Sequence, residues 1–104
     1  MSDGEELRHR VVVVSRNAIN QRMKVIAADV TKSDRERVIP TAVPVEPSEE
    51  NGLTEACYVN CHELATFVRG RLDVEPVGRL SLSDMWRVDE GLRIALGFID
   101  LPEP

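Results

Sequence analysis

Aromatic side chains are scarce in this chain of 104 residues: one Trp, one Tyr and two Phe, 4% of the total. A binder that holds single strands on a row of stacking platforms needs more than that, so Tyr58 stands as one contact and not as a platform. No apolar run approaches the roughly 20 residues of a membrane-spanning helix. The opening MSDGEEL has neither the basic nor the apolar part of a signal peptide. The expectation is a soluble, cytoplasmic protein with no membrane partner. Cysteine is also sparse, with Cys57 and Cys61 alone. Four residues apart on a strand they lie roughly 13 Å from each other, too far for a disulfide. They read as small buried apolar residues. With His62 they supply too few ligands for a metal site, so no metal or other cofactor is expected.

Charge is abundant and unevenly spread. The net charge is −5, which weighs against a nucleic-acid partner. Residues 7–40 nevertheless carry eight Lys or Arg against three acids, a net of +5. Residues 1–6 carry −3 and residues 41–104 carry −7. A basic first third suits a polyanion held on one face.

Strand signals dominate the first 80 residues. RVVVVS (10–15) is a short β-branched run and KVIAADVT (24–31) a second, joined by a turn-like RNAINQR in which Asn17 and Asn20 read as turn residues. VIPTAVPVE (38–46) alternates, but Pro40 and Pro44 confine it to an edge or a bulge. EPSEENG is a loop. EACYVNCHEL (55–64) alternates, with Cys57, Val59 and Cys61 on one side and Tyr58, Asn60 and His62 on the other. VRGRLDVEP (68–76) reads as a basic loop and VGRLS (77–81) as a short last strand. One helix follows. Ser81 and Asp84 form its capping start, and Leu82, Met85, Val88, Leu92, Ala95, Leu96 and Ile99 its apolar stripe. Gly97 and Pro102 end it. Gly91 costs such a helix roughly 1 kcal/mol relative to Ala. Trp86 lies off the stripe, placed to pack on the sheet or on a partner subunit. The pattern predicts a single, mainly β domain over residues 1–104, a small curled antiparallel sheet closed by one C-terminal α-helix, with residues 1–8 an acidic, flexible start.

The order VVVVS, VIAADVT, GLTEACYVNCHEL, then VGRLSLSDMWRVDEGLRIALG resembles the MazF/PemK/Kid toxins over roughly residues 9–99. These are sequence-selective endoribonucleases of type II toxin–antitoxin pairs. The family's opening strand and long loop have no counterpart in the eight residues before His9. The resemblance implies an SH3-like (CcdB/PemK-type) barrel closed by a helix, a homodimer, and a MazE-like antitoxin as partner. It also implies metal-independent cleavage of single-stranded RNA, as an mRNA interferase. Family members place an Arg-Pro pair just before the apolar run that ends in Ser. Counting back from Ser15, His9 falls at the Arg position and Arg10 at the Pro position, with Arg8 alongside. Thr31 matches the family's active-site Thr, and Glu63 falls where a Gln is common.

The chemistry needs a base for the 2′-hydroxyl proton, an acid for the leaving 5′-oxygen and donors to the phosphorane. His9 can exchange a proton at neutral pH, Arg8 or Arg10 can hold phosphate bidentately, and the Thr31 hydroxyl can donate to a non-bridging oxygen. If the first two strands pair antiparallel, the start of one meets the end of the other, which brings these residues together. Arg16, Lys32, Arg69, Tyr58 and His62 complete the expected RNA contacts. A second reading is a family member that binds antitoxin or toxin subunit without cutting. A gyrase-directed toxin on the same fold is a distant third.

Overall fold

β-branched runs form the sheet, as their pattern predicts. In the computed structural model, which describes residues 10–32, 39–72 and 76–99, four strands pair antiparallel throughout in the order β1-β2-β4-β3. They are β1 (Val11–Val13), β2 (Lys24–Thr31), β3 (Ala42–Val45) and β4 (Cys57–Val68). The sheet curls into an open half-barrel, and the helix α2 (Leu82–Ala95) closes its concave side. β2 has the bounds read from the sequence. β1 is shorter, but Val14 and Ser15 still donate to the Ile26 carbonyl at 2.9 and 3.3 Å. The turn after it contains a single helical turn, α1 (Asn17–Asn20). The Asn20 amide donates to the Ser15 carbonyl at 3.0 Å and so ties the turn shut, as a turn residue would.

β3 lies at the sheet edge, where Pro44 removes no ladder bond that a neighbour needs. Pro40 lies outside the strand, and residue 38 lies outside the described residues.

Two sequence expectations are corrected. β4 runs on to Val68, four residues past its expected end, because Leu64–Val68 pair with Lys24–Ala28. Among the described residues no strand forms at 77–81. That segment spends its backbone bond on a loop: the Arg79 N–H donates to the Glu50 carbonyl at 2.7 Å. The contact is tight on both sides. A β-carbon on Gly78 would lie 2.3 Å from the Asn51 backbone, and one on Gly52, at φ +69°, 2.3 Å from the Val77 carbonyl. Asn51 organises the loop, accepting from the N–H groups of Ser48 and Leu53, both at 2.9 Å, and donating to the Glu46 carbonyl at 2.8 Å.

The core gathers Ala28, Val30, Val43, Val45, Cys57, Val59 and Cys61 against Val88 of α2. Full burial of a valine contributes about 1.5–3 kcal/mol. The helix starts as predicted: Ser81 Oγ accepts from the Asp84 N–H at 3.1 Å, a cap whose loss costs about 1 kcal/mol. It ends at Gly97, at φ +82°, where the Phe98 N–H reaches back to the Arg93 carbonyl at 2.7 Å. Only the middle of the predicted stripe is covered. Met85, Leu92 and Ala95 pack on the core, whereas Leu82 is 91% and Leu96 59% exposed. Trp86, at 65%, does not pack on the sheet. Gly91 is buried against β4, with room for nothing larger.

Candidate functional site

Side chains alternate across a strand, so the two faces of the sheet separate by register. Val30, Val43 and Val59 sit level with one another and face the core. Their neighbours face the other way: Thr31 level with Tyr58 and Pro44, and Asp29 level with Asn60 and Ala42. This opposite face carries polar side chains among apolar ones such as Val11, Ala42 and Pro44. Asn60 is 1% exposed, its amide donating to Asp29 Oδ2 at 3.3 Å while its Oδ1 is buried without a hydrogen-bond partner. Asp29, Thr31 and His62 are all engaged in further contacts.

β1 pairs with the second half of β2, Val11 level with Asp29. The Val30 N–H donates to the Arg10 carbonyl at 3.2 Å. Start of β1 and end of β2 therefore meet, as an antiparallel pair must. Arg10 is then level with Val30, on the concave face. Its guanidinium donates to the Gly52 carbonyl at 3.2 Å and lines an apolar cleft of about 260 Å³ with Val12, Val30, Val45, Leu53 and Leu80. Thr31 is on the opposite face. The backbone brings Arg10 and Thr31 together, but their side chains diverge. Arg8 and His9 lie outside the described residues.

The other expected contacts are spread over the sheet. Tyr58 is half-buried beside Thr31. Lys32, just past Thr31, pairs with Glu55 at 3.2 Å, both exposed, a contact of little energetic weight. Arg69 opens a 3-10 turn, Arg69–Arg71, and its N–H donates to the Met23 carbonyl at 2.8 Å. That places Arg69 beside Lys24 at the far end of β2, roughly 23 Å from Thr31 by strand rise. Arg16 is exposed at the start of α1.

A bulge interrupts β4. Ala28 is level with Leu64, yet the next residue, Asp29, is level with Asn60. Cys61, His62 and Glu63 are thus extra on β4. The alternation read from the sequence holds through Cys61 and breaks there. Cys61 turns into the core, where its thiol donates to the Val88 carbonyl at 3.5 Å. Burial, and then the nearby Asp89 carboxylate, push this thiol up to about 11. His62 and Glu63 turn outward. His62 Nδ1 lies 2.7 Å from the Thr41 hydroxyl, and its Nε2 lies 3.6 Å from Glu63 Oε1. Sequence reasoning did not link Thr41 with His62, which lie 21 residues apart. Thr41 precedes β3 and His62 lies within β4, and neither stretch of sequence signals the contact. Among the described residues no three His, Cys, Asp or Glu side chains converge as metal ligands do, and no helix is long and apolar enough to cross a membrane.

Comparison with known proteins bears on this arrangement. A family profile for PemK-like, MazF-like toxins of type II toxin–antitoxin systems matches residues 2–96. No curated relative matches. Among solved structures, a mycobacterial endoribonuclease in complex with its cognate antitoxin is 32% identical, covering 92% of this chain and 84% of its own, with a TM-score of 0.74. An endoribonuclease from a mycobacterial species, also 32% identical, covers 95% of this chain and 86% of its own at the same TM-score. The Mycobacterium tuberculosis toxin MazF-mt6 shares the fold at 24% identity, with 86% of each chain covered and a TM-score of 0.73.

Proposed function

Since the chain belongs to the PemK-like, MazF-like toxins of type II toxin–antitoxin systems, we propose that it is an endoribonuclease that cuts single-stranded RNA. In this reading the RNA's own 2′-hydroxyl attacks the adjacent phosphate. The products end in 2′,3′-cyclic phosphate and 5′-hydroxyl, and no metal takes part. The observation that carries the reading is the 32% identity, over 92% of this chain, to an endoribonuclease bound to its antitoxin. The polar face supports it. Thr31 is at a strand end beside a half-buried tyrosine, so its hydroxyl can donate to a phosphate oxygen while Tyr58 meets a base. Arg16 and Lys32 supply positive charge along the same third of the chain.

The protein acts in this reading as a homodimer that a MazE-like antitoxin silences by covering the basic third. Leu82, Trp86, Leu96 and Phe98, between 59 and 91% exposed, supply apolar surface for the second copy. Incubation of the purified chain with RNA, with and without EDTA, tests the chemistry. Cyclic-phosphate ends at unchanged rate in EDTA are the expected result, and strict metal dependence would refute it. One observation favours the non-catalytic alternative: Arg10 is engaged with Gly52 on the face opposite Thr31. A chain that binds antitoxin tightly and leaves all RNA intact would establish that alternative.

A further inference from the structure

The second half of β4 is a sheet edge with one neighbour. β3 pairs with residues 57–60, and the last bond on that side runs from the Cys61 N–H to the Thr41 carbonyl at 2.9 Å. Beyond it, residues 64–68 pair with β2 and, among the described residues, with nothing else. The ladder fixes which backbone groups are left over. The Arg69 N–H donates to the Met23 carbonyl at 2.8 Å, and every second residue of an antiparallel strand turns its N–H and C=O to the same neighbour. Phe67 and Ala65 therefore face β2, level with Val25 and Ala27. Leu64, Thr66 and Val68 point the other way. Ile26, level with Thr66, shows the same alternation from β2: its N–H and carbonyl are taken up by Ser15 and Val14 on the β1 side. No hydrogen bond among the described residues uses the N–H or C=O of Leu64, Thr66 or Val68.

Sheets normally blunt such an edge with charge, proline or short length. β1 is three residues long and β3 carries Pro44. The β4 edge reads LATFV, with neither charge nor proline, and Thr66 and Val68 are exposed. Its two ends differ. Arg69 and Arg71 follow it, and Lys24 is level with Val68. All three are exposed, and their side chains have no ion-pair partner among the described residues. Glu63 stands at the other end beside His62. We propose that this edge takes up an extended peptide of a partner protein as a further strand, antiparallel to β4 and in line with β3. Backbone bonds supply the affinity in this mode, and nucleic acid offers no matching row of amide donors and acceptors. The edge sets the chemistry of the peptide: uncharged and β-branched along residues 64–68, and acidic at its N-terminal end, which an antiparallel strand lays beside Arg69 and Arg71. A carboxylate at its C-terminal end would meet Glu63, so the polarity is fixed. The inference goes beyond the endoribonuclease reading and uses neither Thr31 nor Arg10.

Fluorescence anisotropy on the full chain tests this with a synthetic peptide, a glutamate pair followed by alternating valine and threonine, labelled at its C-terminus. The parent is expected to bind it, and to bind roughly tenfold or more weakly the same peptide N-methylated at its valines and threonines, which keeps the side chains and loses the N–H donors. Thr66→Pro removes an edge N–H that the β2 ladder does not use and should weaken binding by a similar factor, whereas Thr66→Ala should bind as the parent does. Arg69→Glu combined with Arg71→Glu should weaken binding in low salt and approach the parent in high salt. If thermal melting shows that Thr66→Pro does not fold, the two peptides on the parent decide. Equal binding of both peptides, or binding of neither, overturns the proposal. So does a parent that sediments as a dimer which Thr66→Pro converts to monomer, because the edge then belongs to a second copy.

Discussion

A β-carbon on Gly91 of α2 would lie 2.7 Å from Cys61 Sγ and 3.1 Å from a Val43 methyl of the sheet. The glycine that weakens the isolated helix is therefore what lets the helix reach β4. Gly91→Ala gains roughly 1 kcal/mol of helix propensity but overpacks the contact, which typically costs about 1–3 kcal/mol. The expected net is a lower midpoint in urea. Combining it with Cys61→Ala removes the clashing sulfur and should return part of the loss. Strict additivity of the two changes in a double-mutant cycle would show that they do not meet.

Cys61 also gives stability a pH dependence. Its folded value, about 11, lies above the ordinary 9.0 because burial, and then Asp89, disfavour the thiolate. The folded chain thus holds this proton more tightly than the unfolded one. The contribution is complete below about pH 9 and is lost as pH rises from there through 11. Urea unfolding followed across that window should show the parent losing more stability than Cys61→Ala. Parallel curves for the two proteins would remove Cys61 as the source. The same burial should make Cys61 slow to alkylate in the folded state.

Much of this fold is written in local patterns. The eight residues of β2 form one β-branched and alanine run between Lys24 and Thr31, and the strand has those ends. Ser81 and Asp84 mark the start of α2, and the cap bond is present. What was not legible depends on contacts between distant segments. CYVNCHEL continues its alternation past Cys61 with no break in composition, so nothing local announces the bulge. VGRLS has strand composition, yet its backbone partner is the loop carbonyl of Glu50. The candidate site divides in the same way. Thr31 at a strand end could be read directly, and so could the meeting of β1 and β2. The divergence of Arg10 from Thr31 follows from register, one residue of which reverses the face. The Thr41–His62 contact follows from the bulge and could not precede it.

The outer side of α2 is the surface proposed for assembly. Leu82 and Trp86 are one turn apart on the helix, 91 and 65% exposed, and no described element covers them. In the homodimer proposed here they supply contact area, and one aromatic of that size commonly dominates an interface. Sedimentation at micromolar concentration should give a dimer. Trp86→Ser should shift it toward monomer without lowering the melting cooperativity of the fold. A parent that sediments as a clean monomer would leave this surface to the antitoxin.

The antitoxin is expected to cover the basic third of the chain with an acidic tail. Arg10 and Arg16 are exposed, so reversing both to Glu changes local charge by four units, at the cost of the Arg10 tie to the Gly52 carbonyl. Charge pairs at an interface rim act mainly on association rate and salt dependence. The double variant should bind its antitoxin more slowly and with a flatter dependence on salt. An unchanged association rate would move the interface to another face of the sheet.

Thr31 and Arg10 separate the two readings of the edge where β1 and β2 meet. Thr31 faces the polar side with Tyr58, whereas Arg10 is engaged with the Gly52 carbonyl across the concave cleft. A hydrogen bond from a hydroxyl to a charged phosphate contributes about 1.5–3 kcal/mol, so Thr31→Ala should lower kcat/KM for RNA by roughly 10- to 100-fold. Arg10→Ala removes a tie between β1 and the 46–52 loop, and the effect expected from this geometry is mainly a lower melting temperature. If RNA instead draws the guanidinium away from Gly52, Arg10→Ala will lower kcat/KM at least as far as Thr31→Ala while barely altering the melt. Cleavage and melting measured on both variants thus assign Arg10 either to the scaffold or to the phosphate.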